Sequence, residues 1–188
     1  MSRVNMLPEA EPRTRFLSED EKKRLFAAIG GDKRLMAIVL IGLLTGWRKG
    51  QILGIQKRHL DADNIAVTIK KSKRCRERLV PVSLLIWNIF SALADEAEDF
   101  LFVNRDGNPL GDFKDHWWKV LKEAGISDFH FHDLRHTFAT DMIAAGGQSV
   151  TVQAALGHAN IKTTGIYTHI SNENLRAALE LVSSKSTS

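Results

Sequence analysis

Two β-branched, alternating runs, Asn64 to Lys70 and Glu77 to Val82, stand on either side of a basic segment in a chain whose pattern is otherwise mainly helical. Side chains alternate across a strand, so two such runs joined by so short a segment pair as an antiparallel hairpin with its tip at Lys71 to Arg76. Pro81 has no N–H to give to a ladder and marks an exposed edge. The fold class that follows is mainly α with a small antiparallel β-sheet or hairpin.

The helices are delimited by their caps and breaks. Ser18 and Glu21 match a capping box that starts a helix running to about Ile29, and Gly30-Gly31 ends it. A largely buried helix covers Lys33 to Leu44, Thr45-Gly46 breaks the chain, and a short helix from Lys49 to Leu53 is closed by Gly54. Helical pattern returns at Ser83 to Ala97, and Phe100 to Val103 reads as a short strand before the Asn104 to Pro109 turn. Helices are predicted at 112–124, 133–145, 149–156 and 163–169, with Gly146-Gly147 and Gly157 as breaks. The last, Asn172 to Val182, carries Leu175, Ala178, Leu179 and Val182 on one face. Residues 1–17 read as a linker or N-terminal remnant, 18–182 as one domain and 183–188 as a polar tail. The tryptophans Trp47, Trp87, Trp117 and Trp118 are expected to serve as packing residues.

Charge is distributed unevenly. The net charge is +4 in 188 residues, too small to establish a nucleic-acid partner. Its placement says more: six of the nine residues from Lys70 to Arg78 are basic, while Asp95, Glu96, Glu98 and Asp99 gather elsewhere. One face is thus suited to an anion. Cys75 is the sole cysteine, so there is no intrachain disulfide and no cysteine-based metal site, and a reducing cytosol is expected. The most apolar run, Leu35 to Leu44, is about half of the roughly 20 residues a membrane span needs, and the charged N-terminus is not a signal peptide.

Chemistry concentrates in the second half. His132 and Arg135 are three residues apart on a predicted helix, share a face, and can both reach one small anion. Arginine brings a permanent charge and a fork that fits two oxygens, and Arg48 offers a second one. His132 and His136, with Asp133 between them, imitate a zinc-protease helix; the acid is Asp instead of Glu, no third ligand is evident, and a first-turn Asp already favours the helix dipole. No metal is expected. Tyr167 is the only tyrosine, set between His158 and His169. A phenol with a pKa of about 10 attacks phosphorus only where cations stabilise the developing phenolate.

Four separated blocks then fall into one order: Thr45-Gly46-Trp47-Arg48; a basic hairpin ending Arg78-Leu79-Val80-Pro81; His132-Asp133-Leu134-Arg135-His136-Thr137-Phe138-Ala139-Thr140; and Leu156-Gly157-His158 followed by Tyr167. This series resembles the tyrosine recombinase (phage integrase) family over about residues 15 to 180. The resemblance implies that family's catalytic-domain fold and cleavage of double-stranded DNA by tyrosine attack, giving a 3′-phosphotyrosyl link and a free 5′-hydroxyl before religation. It makes Arg48 and Arg135 a phosphate clamp, His132 a phosphate ligand and acid/base participant, His158 a donor to a non-bridging oxygen, and Tyr167 the nucleophile. Lys73, eight residues before Pro81, would protonate the leaving oxygen, with Lys71 close enough to exchange roles. Lys71, Arg74, Arg76 and Arg78 would contact DNA. No cofactor is implied, because the phosphotyrosyl bond conserves the energy of the phosphodiester. A homo-oligomer, a tetramer on DNA, would assemble through the C-terminal helix in the cytoplasm of a bacterium, an archaeon or a phage host.

Two features depart from the family pattern. Gln51 stands where a Glu is usual, and the N-terminal DNA-clamping domain is expected to be absent, since only about 17 residues precede the first helix. Two other activities use the same residues or fold: type IB topoisomerase-like relaxation, and DNA binding without cleavage.

Overall fold

The computed structural model describes residues 15–72, 75–148, 152, 155 and 156. The expected N-terminal linker through residue 14, hairpin-tip residues Lys73 and Arg74, most of the 149–156 helix, and the helices and tail from 157 onward lie outside the described residues.

The first helix, α1 (Glu19–Ile29), begins where local chemistry dictates. Ser18 Oγ accepts from Glu21 N–H at 3.2 Å and Glu21 Oε2 accepts from Ser18 N–H at 2.9 Å, so two otherwise orphaned donors are satisfied reciprocally. Helix α2 (Lys33–Thr45) starts at Asp32, whose carboxylate accepts from Leu35 N–H at 2.9 Å. After α3 (Lys49–Leu53) and a 3-10 turn at Lys57–His59, three antiparallel strands follow in the order β1 (Leu60–Asp61), β2 (Ala66–Ser72), β3 (Cys75–Pro81). Helices α4 (Leu84–Glu96), α5 (Lys114–Glu123) and α6 (Asp133–Ala144) complete the described elements.

Three details differ from the expectation. The β2–β3 ladder runs to the Ser72–Cys75 pair, so the hairpin is tighter than a six-residue tip. Ladder bonds are made by main-chain groups, and basic side chains do not interrupt them. Pro81 does lie on the outer strand, yet it is buried. Phe100 to Val103 forms no strand: Phe100 bridges Gln56 and Val103 bridges Pro109, single contacts with two different partners.

The core explains where the site falls. Leu35, Val39 and Leu43 of α2 pack with Leu25 and Ile29 of α1 and Val120 and Leu121 of α5. Ile38, Ile41 and Leu44 pack the other way, with Val67 and Ile69 of β2 and Phe90 of α4. A helix apolar on all sides must be covered on all sides, and α2 is the central element. Helix α6 belongs to both clusters, through Leu134 on one side and Phe138 and Met142 on the other. At Gly42 the two helices are so close that a Cβ would meet Leu134 Cδ1 at 3.0 Å.

The beginning of the domain is tied to α6 as well. Leu17 N–H donates to Thr137 Oγ1 at 3.0 Å, and that hydroxyl donates to the Asp133 carbonyl at 3.0 Å. Lys22, 9% exposed, reaches Asp141 at 2.7 Å and Glu19 at 2.8 Å. These contacts clamp α1 onto the helix that carries His132 and Arg135.

Candidate active site

The site begins at the end of α2. Gly46 adopts φ +63°, and a Cβ there would lie 2.5 Å from Phe138 Cδ1 and 2.6 Å from Leu156 Cδ2. Only glycine satisfies both the backbone conformation and the space. Thr45 Oγ1 donates to Ile41 carbonyl at 2.6 Å and accepts from Trp47 N–H at 3.2 Å. Trp47 is buried and stacks on Phe90 at 6.1 Å. With three consecutive residues fixed, the chain emerges at Arg48, whose side chain is exposed. Gln51 Oε1 accepts from Arg48 N–H at 2.9 Å, so the amide standing in for a Glu still supplies the local cap, without its charge.

Arg135 enters from α6 and is 6% exposed. Nη1 donates to the Gly46 carbonyl at 2.8 Å and Nη2 to the Leu156 carbonyl at 2.7 Å. Two neutral acceptors orient the guanidinium while leaving its charge unneutralised. Leu156 lies two residues before His158 in sequence, so the same side chain ties α6 to the segment that leads to the second predicted histidine. Burial, then the charges of Arg48 and Arg78, lower the Arg135 pKa to about 10, which keeps it cationic at neutral pH.

Arg78 arrives from the sheet. It alternates with Glu77 and Leu79, shares a face with buried Val80, and pairs in register with buried Ile69. Its stem is therefore drawn inward; Nη2 reaches the Ala155 carbonyl at 3.4 Å, and burial lowers its pKa. Among the described residues neither Arg48 nor Arg135 meets a carboxylate. Like charges held together, with no carboxylate on Arg48 or Arg135 among the described residues, suit an anion, which offsets their mutual repulsion.

His132 stands at the N-cap position of α6 with its ring exposed and makes no side-chain capping bond. Burial of part of the ring, Arg135, His136 and Arg48 push its pKa below the usual imidazole value, against the opposing pull of Asp133. Asp133 itself is 2% exposed and accepts from His130 N–H at 2.7 Å, a helix-start role that fixes the turn before α6. The His132 and His136 rings meet edge to face at 5.8 Å. Among the described residues no three His, Cys, Asp or Glu side chains are grouped to hold a metal ion.

The structure thus brings Arg48, His132, Arg135 and Arg78 together. Lys73, Arg74, His158 and Tyr167 lie outside the described residues; Lys71 and Arg76 occupy strand positions whose side chains do too. Sequence reasoning missed the Gly46 and Leu156 carbonyls that hold Arg135. Trp118, expected to serve as a packing residue, is 38% exposed beside His130, with ring centroids 5.5 Å apart.

Residues 15–174 match the phage integrase family. Tyrosine recombinase XerC of Staphylococcus carnosus is 35% identical over 175 residues, covering 86% of this chain and 59% of the relative. The crystal structure of XerA recombinase superposes with a TM-score of 0.66 at 30% identity, covering 90% of this chain and 65% of that one. XerH site-specific recombinase bound to difH substrate, in a pre-cleavage complex, gives a TM-score of 0.64 at 25% identity over 93% of this chain and 55% of that one. The chain spans somewhat under two thirds of the length of these relatives.

Proposed function

Since the chain belongs to the phage integrase family, we propose that it is the catalytic unit of a site-specific DNA recombinase that breaks and rejoins strands through a covalent phosphotyrosyl intermediate. The observation that carries this reading is Arg135, buried and aimed by two main-chain carbonyls, with Arg48 and Arg78 close enough to depress its pKa. Such an arrangement is costly without an anion and suits a phosphodiester.

In this reading Arg48 and Arg135 bind the non-bridging oxygens, whose charge grows as phosphorus becomes five-coordinate. As the Tyr167 oxygen attacks phosphorus, its phenol proton passes to His132; the bond to the 5′-oxygen breaks, and that oxygen takes a proton, from Lys73 or its neighbour Lys71. His158 donates to a non-bridging phosphate oxygen, and His132 does so once protonated. Rejoining is the same step in reverse, with a 5′-hydroxyl expelling the tyrosine, so no energy source is consumed. Fixed guanidinium and imidazole groups perform the charge stabilisation that metal ions perform in other nucleases. The substrate is double-stranded DNA, by analogy with XerH on its difH site. Lys71, Arg74 and Arg76 add phosphate contacts, assembly to a tetramer runs through residues 172–182, and the setting is cytoplasmic.

The test is a nicked duplex bearing a target site selected from random-sequence DNA by its binding to the protein, incubated with and without excess EDTA. A denaturation-resistant protein–DNA adduct is expected. No adduct on DNA that the protein binds would make it a binder instead, and loss of the adduct in EDTA alone would overturn the metal-free mechanism.

A further inference from the structure

Beside the arginine cluster lies a hollow of about 290 Å3 between the start of α3, the start of α5 and the turn before α6. His132 lines it and also belongs to the cluster, so the two sites share a wall. The other walls are largely aromatic. Phe113 and Phe131 meet edge to face at 5.5 Å, and Trp118, 38% exposed, presents a large apolar ring at the rim. Lys49 lies over the Phe113 ring at 5.5 Å with its charge met by Asp112 at 2.8 Å, and Lys114 adds a further cation.

We propose that this hollow binds the base of a nucleotide whose phosphate sits on Arg48 and Arg135. This rests on the reading of the cluster as a DNA phosphate site. A planar ring joined through a sugar to a phosphate is the ligand that satisfies an aromatic slot and an anion site with a common wall. Flat rings stack on aromatic faces whatever their hydrogen-bonding edges, so the slot would hold an unstacked base without reading its identity. Held there, the nucleotide flanking the break would stay beside the reacting phosphate while the strand is open. The role of Trp118 is to form one face of the slot; it takes no part in the transfer itself.

The experiment titrates the protein with deoxyadenosine 5′-monophosphate, deoxyribose 5-phosphate and inorganic phosphate. The nucleotide should bind roughly ten-fold tighter than the sugar phosphate. Trp118→Ala should abolish that advantage without changing the affinity for the sugar phosphate, and Trp118→Phe should keep most of it. Equal binding of nucleotide and sugar phosphate by the unmodified protein, or an advantage that survives Trp118→Ala, overturns the proposal. A second arm irradiates the protein with an oligonucleotide carrying 5-iodouracil: crosslinks should map to the peptide containing Trp118. Nucleotide binding with no such crosslink would mark a free-nucleotide site and also overturn it. The phosphate reading fails separately, if inorganic phosphate does not bind or if Arg135→Ala leaves its binding unchanged.

Discussion

At the scale of the residue, Gly46 carries more of the site than any charged side chain reveals. Its left-handed backbone lets α2 stop, its missing Cβ admits Phe138 and Leu156, and its carbonyl orients Arg135. Gly46→Ala should destabilise the domain by about 2–4 kcal/mol, from the strained φ and the overpacked contacts together, read as a lower urea midpoint. An unchanged midpoint would mean that this turn relaxes freely. Arg135→Lys separates charge from geometry. One ammonium cannot hold two carbonyls and a phosphate, so the cleavage rate should fall by about 10²–10³-fold, the usual effect of losing one preorganised donor. Near-normal cleavage by the lysine variant would show that charge alone suffices. Arg48, His132 and Arg135 were legible in the sequence because each is a polar residue in a spaced motif. The main-chain acceptors were not, since every residue has a carbonyl and only the fold selects which one faces inward.

At the scale of the element, α1 was legible to its boundaries because Ser18 and Glu21 settle its start within one turn. Glu21 does more than cap. A hydrogen bond from Arg15 holds its pKa down at about 2, with Ser18 contributing. That value lies below the unfolded carboxylate, so the stabilisation is full above about pH 4.5 and is lost as pH falls toward about 2. Glu21→Gln should therefore shrink the difference in urea midpoint between about pH 6 and about pH 3. An identical pH dependence in the variant would remove Glu21 from the acid response. The hairpin was legible in its alternation but not in its length. Strand pairing out to Ser72 and Cys75 uses main-chain groups common to all residues, and nothing in the side-chain pattern marks where a ladder stops.

At the scale of the whole molecule, three of the four sequence blocks, with Leu156 of the fourth, converge because α2 is covered on both sides and α6 closes over it. Arg48 follows the end of α2, Arg135 and His132 lie at the start of α6, and Arg78 comes through the sheet that packs on the opposite face. Their order along the chain was readable; their convergence required the Gly42–Leu134 approach, a packing fact that no single motif contains. The contacts of Leu17 and Lys22 with α6 tie α1 and the residues just before it to the same packed unit. The proposed chemistry requires this unit to present one phosphate to one phenol. It is tested most directly by isolating the protein–DNA adduct, digesting both components, and mapping the linked residue by mass spectrometry. The expected product is a 3′-phosphotyrosyl nucleotide on the peptide containing Tyr167, the single tyrosine of the chain, with no adduct from Tyr167→Phe. A nucleotide linked to any other residue, or cleaved strands with no linked protein, would contradict it.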